Sequence, residues 1–353
     1  MDVALMIVVN SLGSQHTYSP LLHASWDGFT LTDLVFPTFL FAVGNSMSFS
    51  LPKYEDQGSG VFLRKVLVRT IIIFAIGFLM YWFPFVTRTE TGWGLAPFSH
   101  TRVFGVLQRI ALCYFFASVI IHYLKPRGAL IFALCALIAY RFILAAFGDL
   151  SLEGNAATKL DLWLLGPDHL YHGEGVAFDP EGLLSTLPSI VNVIAGYVAG
   201  VYLQKNGQNY ETIAKMLMVG VVLVLAGVWW DLMFPINKKL WTSSYVLLTV
   251  GICLCALSIL VFIIDIAHRR NWTYFFQVFG RNTLFIYLLS EVIVILLFSI
   301  PAGEGSLYGY IYSNTWRAWV GDMNGSPLFA LTIMLICWIV GWVMDVKKIY
   351  VKI

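Results

Sequence analysis

Long apolar segments recur along the whole chain, and they restrict its fold more than any other feature. The sequence is 59% hydrophobic and 12% charged, against about 25% charged in an ordinary soluble domain. A helix that crosses a bilayer needs about 20 predominantly apolar residues. Ten candidate spans are predicted, at roughly 1–11, 31–52, 66–86, 103–124, 128–147, 184–204, 212–234, 244–266, 272–299 and 327–346.

The predicted fold is therefore an all-α polytopic membrane protein with about ten transmembrane helices. A single transmembrane domain over 1–353 is expected. The first segment is short because Asn10 already begins polar sequence. We expect the numbering to start inside this helix.

Basic residues are divided unequally between alternate loops, and this predicts the orientation. The longer loops of one set carry only Arg88, Arg102, Lys159, Lys238, Lys239 and Arg317. The opposite set carries Lys53, Arg64, Lys65, Lys125, Arg127, Lys205, Arg269, Arg270, Lys347, Lys348 and Lys352. The positive-inside rule makes the richer set cytoplasmic. With an even number of spans, both termini are cytoplasmic, and His23 and the loop 148–183 are exterior.

The loop 148–183 is too rich in aromatic residues and proline for a disordered linker. We expect it to fold as an exterior cap. The cysteines, in contrast, all fall in apolar runs and are interpreted as small buried residues. They are Cys113, Cys135, Cys253, Cys255 and Cys337. No metal site is expected.

The most informative polar cluster lies where the first exterior loop enters the second span. It contains His23, Trp26, Asp27 and Asp33, with Asn10 at the end of the preceding helix. An ionisable group at membrane depth, such as Asp33, indicates a functional site, and imidazole is suited to proton transfer near neutral pH. Asp33 would hold His23 in one tautomer. The alternatives are an ordinary loop histidine and a carboxylate at a helix N-terminus.

A second polar cluster, Gln108 and Arg109, lies within an apolar span. An arginine at that depth is costly unless it is paired or wetted. It could clamp a phosphate or a carboxylate. The alternative is a structural ion pair with Asp33, Asp231 or Glu291.

The exterior loops add Asp168, His169, Asp179 and Glu181. Carboxylates beside aromatic rings suit a cationic, hydroxyl-rich ligand, although a proline between Asp179 and Glu181 is also typical of a helix start. Lys238 lies in a predicted tight turn, where a purely structural role is equally open.

On the cytoplasmic side, Arg281 and Asn282 lie near the inner end of a span. Together with Arg64, Lys65 and Arg69, Arg281 could attract an anionic cofactor. The alternative is that these charges only set the topology.

Several short motifs, in this order, resemble those of the transmembrane acetyltransferases related to lysosomal heparan-α-glucosaminide N-acetyltransferase, and especially their bacterial members. They are 23–28 (HASWDG), 33–37 (DLVFP), 105–109 (GVLQR), 166–171 (GPDHLY), 178–182 (FDPEG), 235–241 (PINKKLW), Ser244 and Tyr245. They extend over nearly the whole chain. The lumenal domain of the animal enzyme and the upstream Leu-Asp-x-x-Arg-Gly-type run are not found here, so heparan sulfate is not assumed as the acceptor.

This resemblance implies an enzyme that uses cytosolic acetyl-CoA to acetylate the amine of a glucosamine-type sugar on the periplasmic side of a bacterial inner membrane. It implies that His23 is the active-site histidine and that Asn10 lies beside the acetyl group. We expect His23 to act as general base, oriented by Asp33, and Asn10 to donate to the oxyanion. Cofactor contacts are expected from Gln108, Arg109, Arg281 and Asn282. Substrate contacts are expected from Trp26, Asp168, His169, Asp179, Glu181 and Lys238.

Two rival functions stay open at this point. Charges such as Arg109 and Glu291 would suit a secondary transporter of an amino sugar or small anion. An O-acyltransferase acting on an envelope glycan would keep the chemistry and change the acceptor to a hydroxyl. The expected partners are acetyl-CoA, the amino sugar and the lipid bilayer, with a homodimer permitted and no nucleic acid.

Overall fold

The computed structural model describes residues 1–55, 57–89, 92–303 and 305–351, so Lys352 lies outside the described residues. The chain is predominantly helical. Its helices are α1 (Asp2–Asn10), α2 (Leu31–Glu55), α3 (Ser59–Trp82), α4 (Val106–Phe147), α5 (Ala156–Leu165), α6 (Thr186–Asn206), α7 (Tyr210–Asp231), α8 (Ser243–Val261), α9 (Thr273–Arg281), α10 (Thr283–Ser299), α11 (Leu307–Tyr312) and α12 (Ala318–Val346).

Short elements connect and extend these helices. Two antiparallel pairs of strands lie in loops, β1 (Val86–Thr89) with β2 (Gly92–Leu95) and β3 (Pro301–Ala302) with β4 (Gly305–Ser306). Single 3-10 turns form at Ser19–Leu21, Phe98–His100 and Pro167–His169. Wider π-helical turns continue α8 over Phe262–Ile266 and α11 over Ser313–Arg317.

The predicted count of ten spans is not confirmed. In the described residues, six helical runs are long and apolar enough to cross a membrane: Leu31–Tyr54, Val106–Phe147, Thr186–Asn206, Tyr210–Asp231, Ser243–Ile266 and Leu307–Val346. A seventh span arises if α9 and α10, which meet at 84°, are counted as one. Two parts of this difference have a structural basis. The helix α1 has only nine residues, and the predicted spans 103–124 and 128–147 are two helical segments that meet at a kink at Lys125, before Pro126, and are counted as one run.

The expected exterior loop 148–183 is folded rather than extended. It contains α5, whose N-terminus is capped by the Asn155 side chain accepting from Thr158 N. The loop also packs back on the helical bundle, because Phe178 is buried and Trp26 Nε1 donates to Leu150 O. The orientation of the termini across the membrane stays a prediction.

Two groups of helices form the interior. The larger hydrophobic cluster draws on α2, α3, α4, α6, α7 and α8, and the smaller one on α1, α9, α10, α11 and α12. The tightest approach is between α2 and α6. A Cβ on Gly44 would overlap the carbonyl oxygen of Val193, and one on Gly196 would overlap that of Phe41. Small residues permit this close contact of helix backbones, as is common between membrane helices.

A buried arginine joins the helices to the cap. Arg109, on α4, is fully buried. Its guanidinium donates to the carbonyl oxygens of Pro180 and Gly182 at 3.1 and 3.0 Å, and to the hydroxyls of Ser185 and Ser189.

The same guanidinium lies 5.2 Å from the centre of the Trp241 ring. In the described part of the chain no carboxylate pairs with it, so the ion pair with Asp33, Asp231 or Glu291 considered above is not formed. Protein oxygens and an aromatic face therefore stabilise this charge.

We predict that Arg109→Ala destabilises the protein by at least about 3 kcal/mol, because several buried acceptors lose a charged donor at once. Thermal unfolding in detergent measures the effect. The matched control is Lys215→Ala, which removes an exposed cation paired with Glu211 one helical turn away and should change stability by less than about 0.5 kcal/mol. Equal unfolding temperatures for the two variants would show that the Arg109 contacts are not structural.

Candidate active site

Two cavities lie end to end along α1, α2 and α4. The large cavity has a volume of about 660 Å³ and is lined by Met1–Val3 of α1, by α2 residues from Phe39 to Ser50, and by Leu107, Ile110 and Tyr114 of α4. The histidine cavity has a volume of about 270 Å³ and is lined by neighbouring stretches of the same helices: Met6, Val9, Asn10, Thr32, Asp33, Val35, Phe36 and Val106. Together they follow α2 from Asp33 to Ser50, a helical rise of about 25 Å.

The large cavity is mainly apolar but carries basic groups. Arg69 and Arg281 both line it. Arg281 forms an ion pair with Asp345, while Arg69 Nε is buried with no hydrogen-bond partner in the described chain. Asn282 lies behind the wall, where it donates to Ile349 O and accepts from Val351 N. Of the predicted cofactor residues, the structure therefore brings only Arg281 to this cavity.

His23 and Asp33 face each other at the wall of the histidine cavity. His23 Nδ1 lies 2.7 Å from Asp33 Oδ1, where a protonated Nδ1 donates to the carboxylate. The Asp33 side chain is 1% exposed, and its Oδ2 accepts from the backbone N–H groups of Ala24 and Thr30. These local contacts fix the loop around the first turn of α2. They leave Nε2 as the ring nitrogen with a free lone pair.

Asn10 lies in the same cavity, at the C-terminal end of α1. Its side-chain amide donates to Glu291 Oε1 at 3.2 Å. Glu291 belongs to α10, so this contact joins two helices of the smaller cluster. The predicted neighbour of the acetyl group is thus present, with one of its N–H donors directed at a carboxylate.

The cap contributes a charged wall to the histidine cavity. Arg102 Nη2 lies 2.6 Å from both Asp179 Oδ1 and Glu181 Oε2. Its guanidinium also lies between the rings of Tyr81 and Tyr171, 5.0 and 4.8 Å from their centres. Burial raises the pKa of Asp179, and Arg102 opposes this shift.

Two lysines reach the cavity from the loop between α7 and α8. Lys238 Nζ lies 3.0 Å from His23 Nδ1 and 3.8 Å from Asp33 Oδ1. Burial lowers the pKa of Lys238, whereas the carboxylates of Asp33 and Glu181 oppose this. Lys239 Nζ pairs with Glu174 of the cap at 2.7 Å.

The structure distributes the other predicted site residues differently. Trp26, Glu181 and Lys238 line the histidine cavity, and Asp179 lies behind it, enclosed by Arg102. Asp168 and His169 do not line it: Asp168 pairs with exposed His100 at 3.4 Å, and His169 donates to Thr101 O. Gln108 and Arg109 line neither cavity. Both polar atoms of the Gln108 side chain, Oε1 and Nε2, are buried without a hydrogen-bond partner in the described chain.

Sequence reasoning missed three charged residues of this cavity: Arg102, Glu174 and Lys239. For Arg102 a signal was available. It is an exterior arginine at the start of a span, in a chain whose cap carries the Asp-Pro-Glu triplet at 179–181. For Glu174 and Lys239, neither spacing nor composition separates them from ordinary loop charges. Within the described residues, no group of three or more His, Cys, Asp or Glu side chains is arranged to hold a metal ion.

The long apolar helices and the two cavities define a multi-pass membrane protein with polar and charged side chains lining cavities between its helices. Heparan-alpha-glucosaminide N-acetyltransferase of Homo sapiens is 29% identical over 348 residues, covering 82% of this chain and 51% of that protein. The Mus musculus enzyme of the same name is 29% identical over 353 residues, covering 83% and 52%. No family model matches the chain.

The chain is thus similar to heparan-alpha-glucosaminide N-acetyltransferases, in agreement with the resemblance of its motifs. It spans about half the length of the curated relatives that it matches.

A buried carboxyl group beside the site provides a test of the cap. Asp161 of α5 is fully buried, and its Oδ1 accepts from Leu183 N at 3.0 Å, while Oδ2 has no partner among the described residues. Burial raises its pKa from 3.8 to about 7, and nearby Asp179 adds to the shift. Between these values the folded protein keeps a proton that the unfolded chain has lost. Stability therefore falls as the pH rises from about 4 to about 7.

We predict that Asp161→Asn stabilises the protein above about pH 7, by on the order of 3 kcal/mol, because no charge is then buried. The difference from wild type should shrink as the pH falls towards 4. Thermal unfolding measured across this pH range tests it. Asp149→Asn, in the same loop but solvent-accessible, is the control and should bring no such gain. A pH-independent difference for the Asp161 variant would contradict the assignment.

Proposed function

We propose that this protein transfers an acetyl group from cytosolic acetyl-CoA to the amine of a glucosamine-type sugar on the other, periplasmic side of a bacterial inner membrane. The observation that carries the proposal is the pair of cavities along α2, with basic residues at one end and the His23–Asp33 pair at the other. The similarity to the two heparan-alpha-glucosaminide N-acetyltransferases supports it.

The residues of the large cavity suit the donor. Arg69, whose Nε has no partner among the described residues, and the nearby Arg281 can donate hydrogen bonds to phosphate oxygens. The apolar walls of the cavity can contact the pantetheine arm. That arm extends about 20 Å, two-thirds of a roughly 30 Å hydrocarbon core. The two cavities together follow about 25 Å of α2 from Ser50 to Asp33, so an arm that starts at these basic residues covers most of the distance to Asn10 and His23.

In the proposed reaction, His23 acts as the general base. Its Nε2 accepts a proton from the sugar amine while the amine nitrogen attacks the thioester carbonyl. The C–S bond then breaks, and the CoA thiolate takes up the proton from His23 as it leaves. Asp33 fixes the ring by holding Nδ1. The acceptor lies under the cap as the neutral amine, where Trp26 offers a face for the sugar ring and the Glu181 carboxylate accepts a hydrogen bond from a sugar N–H or O–H group.

We predict that His23→Ala lowers the transfer rate by about 10²–10⁴-fold, the usual contribution of a general base. The affinity for CoA should be unchanged, because His23 does not line the large cavity. Steady-state rates and calorimetric CoA binding measure the two quantities. The control is His100→Ala, an exposed histidine outside both cavities. Near-normal turnover of the His23 variant would refute its role as base.

A second experiment separates this function from transport. We predict that purified protein in detergent, with no membrane gradient, consumes acetyl-CoA and releases free CoA only when an amino sugar is added. A transporter would show no thioester consumption. Comparing glucosamine with glucose as the acceptor distinguishes amine from hydroxyl transfer. Incubation with labelled acetyl-CoA alone then tests for an acetyl-His23 intermediate, which stable label on His23 would support.

A further inference from the structure

The loop that carries Lys238 is locked to the loop that carries His23. Gly28 N donates to Ile236 O at 2.8 Å, and Asn237 Nδ2 donates to Asp27 Oδ1 at 3.1 Å. Lys239 Nζ donates to Ser25 O at 2.6 Å. These contacts join segments about 210 positions apart in the chain. The position of Lys238 relative to His23 is therefore built into the fold.

The Lys238 side chain is 17% exposed and ends against the His23 ring. Its Nζ lies 3.0 Å from Nδ1 and 3.3 Å from Nε2. The lone pairs of the two ring nitrogens point away from each other in the ring plane. A single ammonium this close to both therefore lies against the ring, and it does not occupy the in-plane position through which Nε2 would accept a proton.

Lys238 differs from the two other cations that line the histidine cavity. Arg102 has two carboxylate oxygens at 2.6 Å, and Lys239 has Glu174 at 2.7 Å. For Lys238 the carboxylate within reach, Asp33 Oδ1, lies 3.8 Å away, beyond hydrogen-bonding distance. A ligand can consequently accept a hydrogen bond from Lys238 without breaking a hydrogen-bonded ion pair, whereas at Arg102 and Lys239 it would have to break one.

The predicted oxyanion donor is less available than Lys238. One N–H of Asn10 is directed at Glu291 Oε1. A carbonyl oxygen that gains negative charge is stabilised most by a preorganised donor in a water-excluded site. A charged donor forms roughly twice as strong a hydrogen bond as a neutral one.

We propose that Lys238 is a catalytic residue, whose ammonium group donates to the carbonyl oxygen of the acetyl group as the tetrahedral intermediate forms. This inference rests on the proposed function. As the amine nitrogen bonds to the carbonyl carbon, the carbonyl π electrons move to the oxygen and His23 Nε2 takes the amine proton. Lys238 stabilises the resulting oxyanion and keeps its own protons. When the C=O bond re-forms, the C–S bond breaks and the thiolate leaves with the proton from His23.

The test compares Lys238→Met, which keeps the length of the side chain and removes the donor, with Lys238→Arg, which keeps a cation. We expect Lys238→Met to lower kcat by about 10²–10³-fold, as loss of an oxyanion donor does elsewhere. KM for the sugar, CoA affinity and thermal stability should stay close to wild type. Lys238→Arg should retain a larger share of kcat than Lys238→Met. Lys215→Met, a change on the exposed face of α7, is the control for loss of a lysine.

Other outcomes overturn the inference. A raised KM with unchanged kcat would make Lys238 a group that only binds the acceptor. Turnover of Lys238→Met within a few-fold of wild type would exclude the oxyanion role. If Lys238→Met unfolds or loses CoA affinity, Lys238→Gln, which removes the positive charge and keeps a polar side chain, takes its place: kcat within a few-fold of wild type in that folded variant would exclude the cationic oxyanion donor. If wild-type protein itself releases no CoA, the proposed function fails, and this inference fails with it.

Discussion

The guanidinium of Arg109 connects the segments that shape the site. It extends from α4 to the carbonyl oxygens of Pro180 and Gly182 in the cap, to the hydroxyls at the start of α6, and to the ring of Trp241. Trp241 ends the same turn that presents Lys238. Because an unpaired charge within an apolar span is costly, these contacts have few alternatives. One buried charge thus fixes both the cap and the loop between α7 and α8 relative to the helices. The histidine cavity lies between the cap, this loop and the helices.

Much of the helical architecture follows from local sequence, whereas the breaks within and between helices do not. Apolar runs locate α2, α4, α6, α7, α8 and α12 because lipid and protein interiors both exclude polar side chains. The number of spans does not follow in the same way, since hydropathy cannot show how the two segments of α4 meet at the kink at Lys125 or that α9 and α10 meet at 84°. The geometry at those breaks depends on contacts between helices.

In the site, too, contacts between residues close in sequence could be predicted, whereas contacts between distant residues could not. The proximity of His23 and Asp33 could be anticipated because ten positions separate them, across a short loop and the first turn of a helix. The contact of His23 with Lys238 spans 215 positions and depends on how the loop between α1 and α2 packs against the loop between α7 and α8. Arg109 illustrates the opposite problem. Its sequence position predicted a ligand or a carboxylate partner. In the structure its guanidinium donates to backbone carbonyls and hydroxyls instead, and no spacing rule identifies such partners.

The rigidity of this region bears on the choice between an enzyme and a transporter. Alternating access requires a repeat or bundle to move around the binding site, so contacts across the site must break in every cycle. Here Asp33 accepts from two backbone N–H groups of the loop that carries His23. That loop is hydrogen-bonded to the loop between α7 and α8. Arg102 and Arg109 both bind the cap. Catalysis by a base and an oxyanion donor gains from such fixed groups, because each must meet the reacting atoms within a fraction of an ångström. Under the proposed function, only the acetyl group has to cross between the fixed walls of the two cavities. It would do so on an arm that lies in the large cavity, without any helix moving.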